Sequence, residues 1–315
     1  MSRPKVMSPG RGSLAALTFA WLALAIGHPT HPGDPPPTQQ SAPSLVALRA
    51  EATATPFATP RAHLPIALKP HVAESPTPTP EDGTLAYVNY FRRAAGVPAI
   101  TFDPTLNSNC WLHARYMAEE NHLTHDERPN SPWYTPGGQT CAQKGNVWLG
   151  GAASSPYWQE RHAIEGWMRS TGHRLWLLYP TTPTFGFGFY TAVNNRAGAA
   201  LDVLSRFDSA ADAAYPNWPV RYPGPGQTGL PTTGNPITLA WRYFGPTPIV
   251  RSISLTNGSG NAIPFTATTA LPVNHKGIEI RPMQNLPPNA RIDVSVSGSY
   301  DGQPFSYAWS FTTGN

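Results

Sequence analysis

From His28 to Glu81 the chain is dominated by Pro, Thr, Ala and Ser ("HPGDPPPTQQSAPS", "ATATPFATPR", "ESPTPTPED"), and this confines folding to what lies beyond it. Such a segment cannot bury enough apolar surface to offset its chain entropy, and its prolines hold it extended as a spacer. A short apolar patch, "HLPIALKP", interrupts it. The rest of the 315 residues suffices for two ordinary cores.

The spacer is preceded by a basic start and an apolar run, "SLAALTFAWLALAIG", with small residues at Ala25 and Gly27. Residues 1–27 therefore read as a signal peptide, too short to span a bilayer comfortably. An uncleaved N-terminal anchor is the alternative, and the one route to a membrane. Either way the folded part is expected to be secreted or held at the cell surface. Three of the 22 basic side chains, Arg3, Lys5 and Arg11, precede Leu14, and no acid precedes Asp34. Without this segment 19 basic face 18 acidic side chains. A chain so balanced lacks the basic patch that phosphate contacts require, which argues against nucleic acid as a partner.

Export makes the two cysteines informative. An oxidising compartment favours joining Cys110 to Cys141. The chain-entropy relation gives such a loop about 3–4 kcal/mol. Two free thiols are the other reading.

Periodicity begins after Asp82. Leu85, Val88, Tyr90, Phe91 and Ala95 suit a helix that stops at Gly96. A second helix starts with Asp103 as N-cap and Pro104 in the first turn, carries Leu106, Cys110, Ala114 and Met117 on one face, and runs to about Asn121. Residues 126–156 read as a long loop, residues 157–169 as a third helix ended by Gly172, and a short fourth helix, capped by Ser170 or Thr171, carries Leu175 to Leu178. "FGFGFYTAV" and "AALDVLSRF" read as strands joined through "NNRAG". The fold class is α+β.

"AYPNWPVRYPGPGQTGLPTTGNP" marks a second linker, residues 215–236, between a first domain over 82–214 and a small β-sandwich over 237–315. In the latter Ile292, Val294 and Val296 alternate with polar residues, as do Tyr307, Trp309 and Phe311, with Asp301-Gly302 as the hairpin turn between them.

Candidate chemistry rests on histidines. His173 falls in the first turn of the short fourth helix, where the dipole disfavours imidazolium, so the ring stays neutral and can accept a hydrogen bond or bind a divalent metal. His125 follows the second helix, beside Asp126 and Glu127. His122 lies on the polar end of that helix, and His113 lies beside its apolar face, which suits core packing.

The ordered stretches "LAYVNYFRRAAGVPAITFDPTLNSNCWLHARYMAEENHLTHDE", "GNV", "WMRSTGHRLWLLYP" and "FGFGFY" resemble the CAP superfamily, which includes cysteine-rich secretory proteins, antigen-five venom allergens and plant pathogenesis-related proteins. The likeness covers about residues 84–210 and is greatest to the bacterial branch. It implies an α-β-α sandwich with a central cleft, in which two His and two Glu can hold zinc or another divalent cation. His125 and His173 match the two imidazoles. Both carboxylate positions differ, with Gly145 and Ser170 in their places. Tight zinc sites offer three or four protein ligands, so the pair implies at most a weakly held cation, with Glu165, Asp126 or Glu127 as stand-in acids. The C-terminal segment resembles bacterial Ig-like or fibronectin-like modules.

These features point first to a non-catalytic module that binds a small or lipid-like ligand, or a cell-envelope component, in a cleft containing His125, His173, Ser170 and Asn146. A hydrolase with Ser170 as nucleophile, His173 as base and Glu165 as acid, or one assisted by metal, is a second reading. A structural envelope protein with a vestigial cleft is a third.

Overall fold

The computed structural model describes residues 83–151, 159–233 and 235–315. The expected signal peptide and the spacer to residue 81 lie outside them. Among the described residues no helix is long and apolar enough to cross a membrane.

Helix α1 (Gly83–Ala94) is followed by the short strand β1 (Thr101–Phe102) and by α2 (Pro104–Glu120). Asp103 caps α2, its Oδ1 accepting from Thr105 N at 2.8 Å and Leu106 N at 3.1 Å. The helix ends at Asn121, which adopts a left-handed conformation with φ of 49°. Two elements then stand where a long loop was expected: α3 (Pro136–Ala142) and strand β2 (Gly145–Gly151). The Pro-Gly-Gly start of α3 hides it from a propensity reading. It is nevertheless well begun, since Thr135 Oγ1 accepts from Gly138 N at 2.9 Å. Helices α4 (Gln159–Arg169) and α5 (Thr171–Leu177) meet at Ser170, so Gly172 lies inside α5 and does not terminate α4.

Strands β3 (Thr184–Thr191) and β4 (Arg196–Asp202) complete a sheet of order β1-β3-β4-β2, with β1 parallel to β3 and the other pairs antiparallel. One face carries Phe185, Ala199 and Leu201 against Val88 of α1 and Ile164 and Trp167 of α4. On the other, Val147 and Ala200 pack with Cys110, Tyr116 and Met117 of α2 and Cys141 of α3. This is a helix-sheet-helix arrangement, pinned on the second face by a Cys110–Cys141 disulfide. Glycines bring α2 down to backbone contact with the sheet: a Cβ on Gly188 would lie 2.0 Å from Trp111 N, and one on Gly198 2.2 Å from Ala114 O. "FGFGF" is thus a strand with rings on one face and a bed for a helix on the other.

After α6 (Ser209–Ala214) the chain builds two further sheets. One has the order β5 (Val220–Tyr222), β6 (Ile237–Ala240), β9 (Gly277–Pro282), β8 (Phe265–Thr268), and the other β11 (Gln303–Thr312), β10 (Arg291–Tyr300), β7 (Ile249–Asn257). Ile278 and Ile280 of the first sheet and Ile292, Val294, Val296 and Phe311 of the second are all buried. The β10–β11 hairpin turns at Asp301-Gly302, both with positive φ, in register with Tyr300 opposite Gln303. Within residues 215–236, the segment read as a linker, Val220, Tyr222 and Leu230 are buried and β5 pairs with β6.

Candidate functional site

The loop after α2 is organised by a buried pair. His113 Nε2 donates to Thr124 O at 3.0 Å, which turns Nδ1 toward Glu127 Oε1, also at 3.0 Å. Both side chains are fully buried. Glu127 Oε2 accepts from Thr135 N at 2.8 Å, so one carboxylate fixes the loop and the start of α3 together. Glu127 is thereby committed to His113 and is not available to His125. Asp126 accepts from Gln139 and Gln143 at 3.1 and 3.0 Å, and His122 is exposed.

His125 stands on this anchored loop. Its Nδ1 donates to Ala142 O at 2.6 Å, leaving Nε2 as the atom with a free lone pair. Burial pushes its pKa down, only partly countered by that carbonyl. His173 lies in the first turn of α5, with Nδ1 2.9 Å from Ser170 Oγ. Burial, with a smaller contribution from the nearby His125 ring, pulls its pKa down to about 4. Asn146 of β2 donates from Nδ2 to His173 O at 2.8 Å, while its Oδ1 is buried without a partner. His125, His173, Ser170 and Asn146 thus form a neighbourhood where α3, β2 and α5 converge.

This donor set does not fit the metal that the family resemblance implies. A Cβ on Gly145 would lie 2.0 Å from Leu201 O, so this backbone admits no carboxylate there. At the second position Ser170 bonds to His173 itself. Among the described residues no three of His, Cys, Asp and Glu gather closely enough to hold a metal ion. Neither Asp126 nor Glu127 nor Glu165 replaces the missing acids.

Glu165 points elsewhere. It accepts from Tyr87 Oη at 2.8 Å and pairs with Arg161 and Arg169. The Ser170–His173 contact therefore has no described carboxylate behind it. A ring whose conjugate acid has been lowered this far is also a weak general base.

An open groove lies away from the histidines. This groove, of about 750 Å³ between α1, α2 and β3, is walled by Leu85, Phe102, Trp111, Leu112, Phe187 and Phe189, with Asn107, Ser108 and Glu160 at polar positions. Trp111 is 40% exposed, an uncommon state for so large an apolar side chain on a packed helix. The alternating rings of "FGFGF" were legible as a strand, but the groove needs Trp111 from the outer side of α2, which its apolar-face reading passed over.

His275 was missed as well. It is 5% exposed, and its ring packs 4.6 Å from that of Trp176, one helical turn beyond His173. The Gly172 carbonyl accepts from it, its Nε2 is buried without a partner, and burial lowers its pKa to about 3. Nothing in the local sequence around His275 could have signalled a partner a hundred residues upstream.

Residues 85–203 match the family model described as CAP, the cysteine-rich secretory protein family. No curated protein matches the chain. Among solved structures, an outer surface protein from Borrelia burgdorferi aligns at 15% identity and a TM-score of 0.29, covering 39% of this chain and 90% of its own. An extracellular protein containing a SCP domain from Bacillus anthracis aligns at 20% identity and a TM-score of 0.28. That match covers 38% of this chain and 38% of the Bacillus protein.

Proposed function

With residues 85–203 a CAP domain, we propose that the protein is an exported, non-catalytic module that binds a small lipid-like ligand in the aromatic groove between α1, α2 and β3. The observation that carries this reading is the groove itself. Its volume of about 750 Å³ falls within the range of small-molecule sites, and its walls are mainly aromatic and aliphatic with a few polar groups. The Cys110–Cys141 disulfide supports an oxidising compartment. The C-terminal sheets are compatible with an Ig-like or fibronectin-like module.

The test is titration of the full chain with cis-parinaric acid, a fluorescent apolar chain. Saturable binding, weakened about tenfold or more by Phe189→Ala or Trp111→Ala and unaffected by His173→Ala, supports the groove. Binding lost only in His173→Ala transfers the function to the histidine neighbourhood. No saturable binding rejects this reading.

The 2.9 Å contact between Ser170 Oγ and His173 Nδ1 favours one second reading, an esterase-like hydrolase. Turnover of p-nitrophenyl acetate that disappears in Ser170→Ala, with the fold retained, supports it; turnover unchanged by that substitution removes it.

A further inference from the structure

Helix α5 has only seven residues, too few to hold itself, and its polar side chains are satisfied from far along the chain. Arg174 is completely buried. Its Nε donates to Met168 O at 2.6 Å, but the rest of the guanidinium reaches Pro236 O and lies 4.7 Å from the centre of the Tyr222 ring. Thr171 Oγ1 donates to Glu279 of β9. Two of the polar anchors of α5 therefore belong to the sandwich or to the segment leading into it.

Packing runs the same way. Leu175 is buried in a cluster with Ala240 and Leu271, both from the sandwich. Trp176 is covered by His275 and by Tyr243, whose ring centre is 4.8 Å from its own. A Cβ on Gly172 would stand 3.3 Å from Pro272, so the turn carrying His275 lies directly on the first turn of α5. The apolar core continues from Trp167 and Leu177 through Tyr222 to Ile280 and Val294 without a break. Withdrawal of the sandwich would strand a buried arginine and a buried hydroxyl and would expose an apolar helix face, and a buried group left unpaired is strongly destabilising.

We propose that the C-terminal sandwich is an obligate partner surface of the CAP domain: α5, and with it His173, keeps its place only while the sandwich is docked, so the two domains fold and unfold as one unit. The sandwich is on this account part of the scaffold of the histidine neighbourhood and not a spacer. The proposal is independent of which ligand, if any, enters the aromatic groove.

The test is urea unfolding of the full wild-type chain, read by amide hydrogen exchange at Leu201 of β4 and at Val294 of β10. Coincident midpoints are expected. Loss of Val294 protection at a lower urea concentration, with Leu201 still protected, overturns the proposal. In a second arm Arg174→Met and Thr171→Val are introduced singly into the full chain. Each is expected to lower the midpoints at both probes together. A fall confined to one probe, or no fall in either variant, overturns it equally.

Discussion

His113 and His173 are both withdrawn from water, yet the structure treats them in opposite ways. His113 has a carboxylate at 3.0 Å, a carbonyl on its other nitrogen, and the ring of Tyr116 stacked 6.0 Å away. His173 has a serine hydroxyl, no acid, and another imidazole nearby. His275, pressed on the same helix turn, is likewise without an acid. The difference separates two tasks. A buried histidine bonded to a carboxylate and a carbonyl ties chain segments together. One without a carboxylate is kept neutral, and its remaining nitrogen is an acceptor rather than a charge.

The largest effect expected from this contrast is at Glu127. Glu127→Ala leaves His113 Nδ1 and Thr135 N without their partner in a dry site, and breaking a buried pair from one side costs about 3–5 kcal/mol. Glu127→Gln retains an oxygen for Thr135 N and an amide for the imidazole, so it is expected to cost about 1–2 kcal/mol. Urea midpoints give both values. An alanine variant no worse than the glutamine one would mean that the pair does not anchor the loop, and the contrast with His173 would collapse.

Acid sharpens the comparison from the other side. His173 and His275 have folded pKa values of about 4 and about 3, both below the ordinary 6.5. The unfolded chain therefore binds protons at these sites that the folded chain refuses. Their contribution to stability is complete above pH 6.5 and is lost as the pH falls from there toward 4 and 3. At pH 5 the loss is on the order of 2 kcal/mol for each ring. His275→Phe removes one ring, so its stability should fall less steeply between pH 7 and 5 than that of the wild type. Equal slopes would show that burial is not what keeps His275 neutral.

Local signals in the sequence were reliable where structure is decided locally. Asp103-Pro104 starts a helix because the cap bond spans two and three residues, and Asp301-Gly302 turns a hairpin because both positions need positive φ. The alternation of Ile292, Val294 and Val296 identified their buried face. What escaped depends on partners distant in sequence. Arg92 and Arg174 belong to a residue type that is seldom fully buried, yet both are buried. Arg92 donates to Pro98, Leu177 and Tyr179 carbonyls, and burial lowers its pKa to about 9. Strand β5 is hidden in a Pro-rich stretch because its pairing with β6 is what makes it a strand. The histidine neighbourhood was half legible. His125, His173, Ser170 and Asn146 do converge, whereas Glu165, named as a possible acid, is turned toward Tyr87 and α1.

The smallest effect tests whether Ser170 plays for His173 the part that Glu127 plays for His113. Ser170 occupies the N-cap position of α5, but its hydroxyl makes no capping bond and goes to the ring instead. Ser170→Ala therefore removes one neutral hydrogen bond at a half-buried site and no cap, a loss of about 1 kcal/mol. The backbone carbonyl of Ser170, which accepts from Arg174 N at 2.8 Å, is untouched by the substitution. A urea-measured loss near that value keeps the hydroxyl as an orienting contact for a neutral imidazole. A loss approaching that of Glu127→Ala would make Ser170 an anchor in its own right. The two histidines would then differ in the chemistry of their partner but not in the work the partner does.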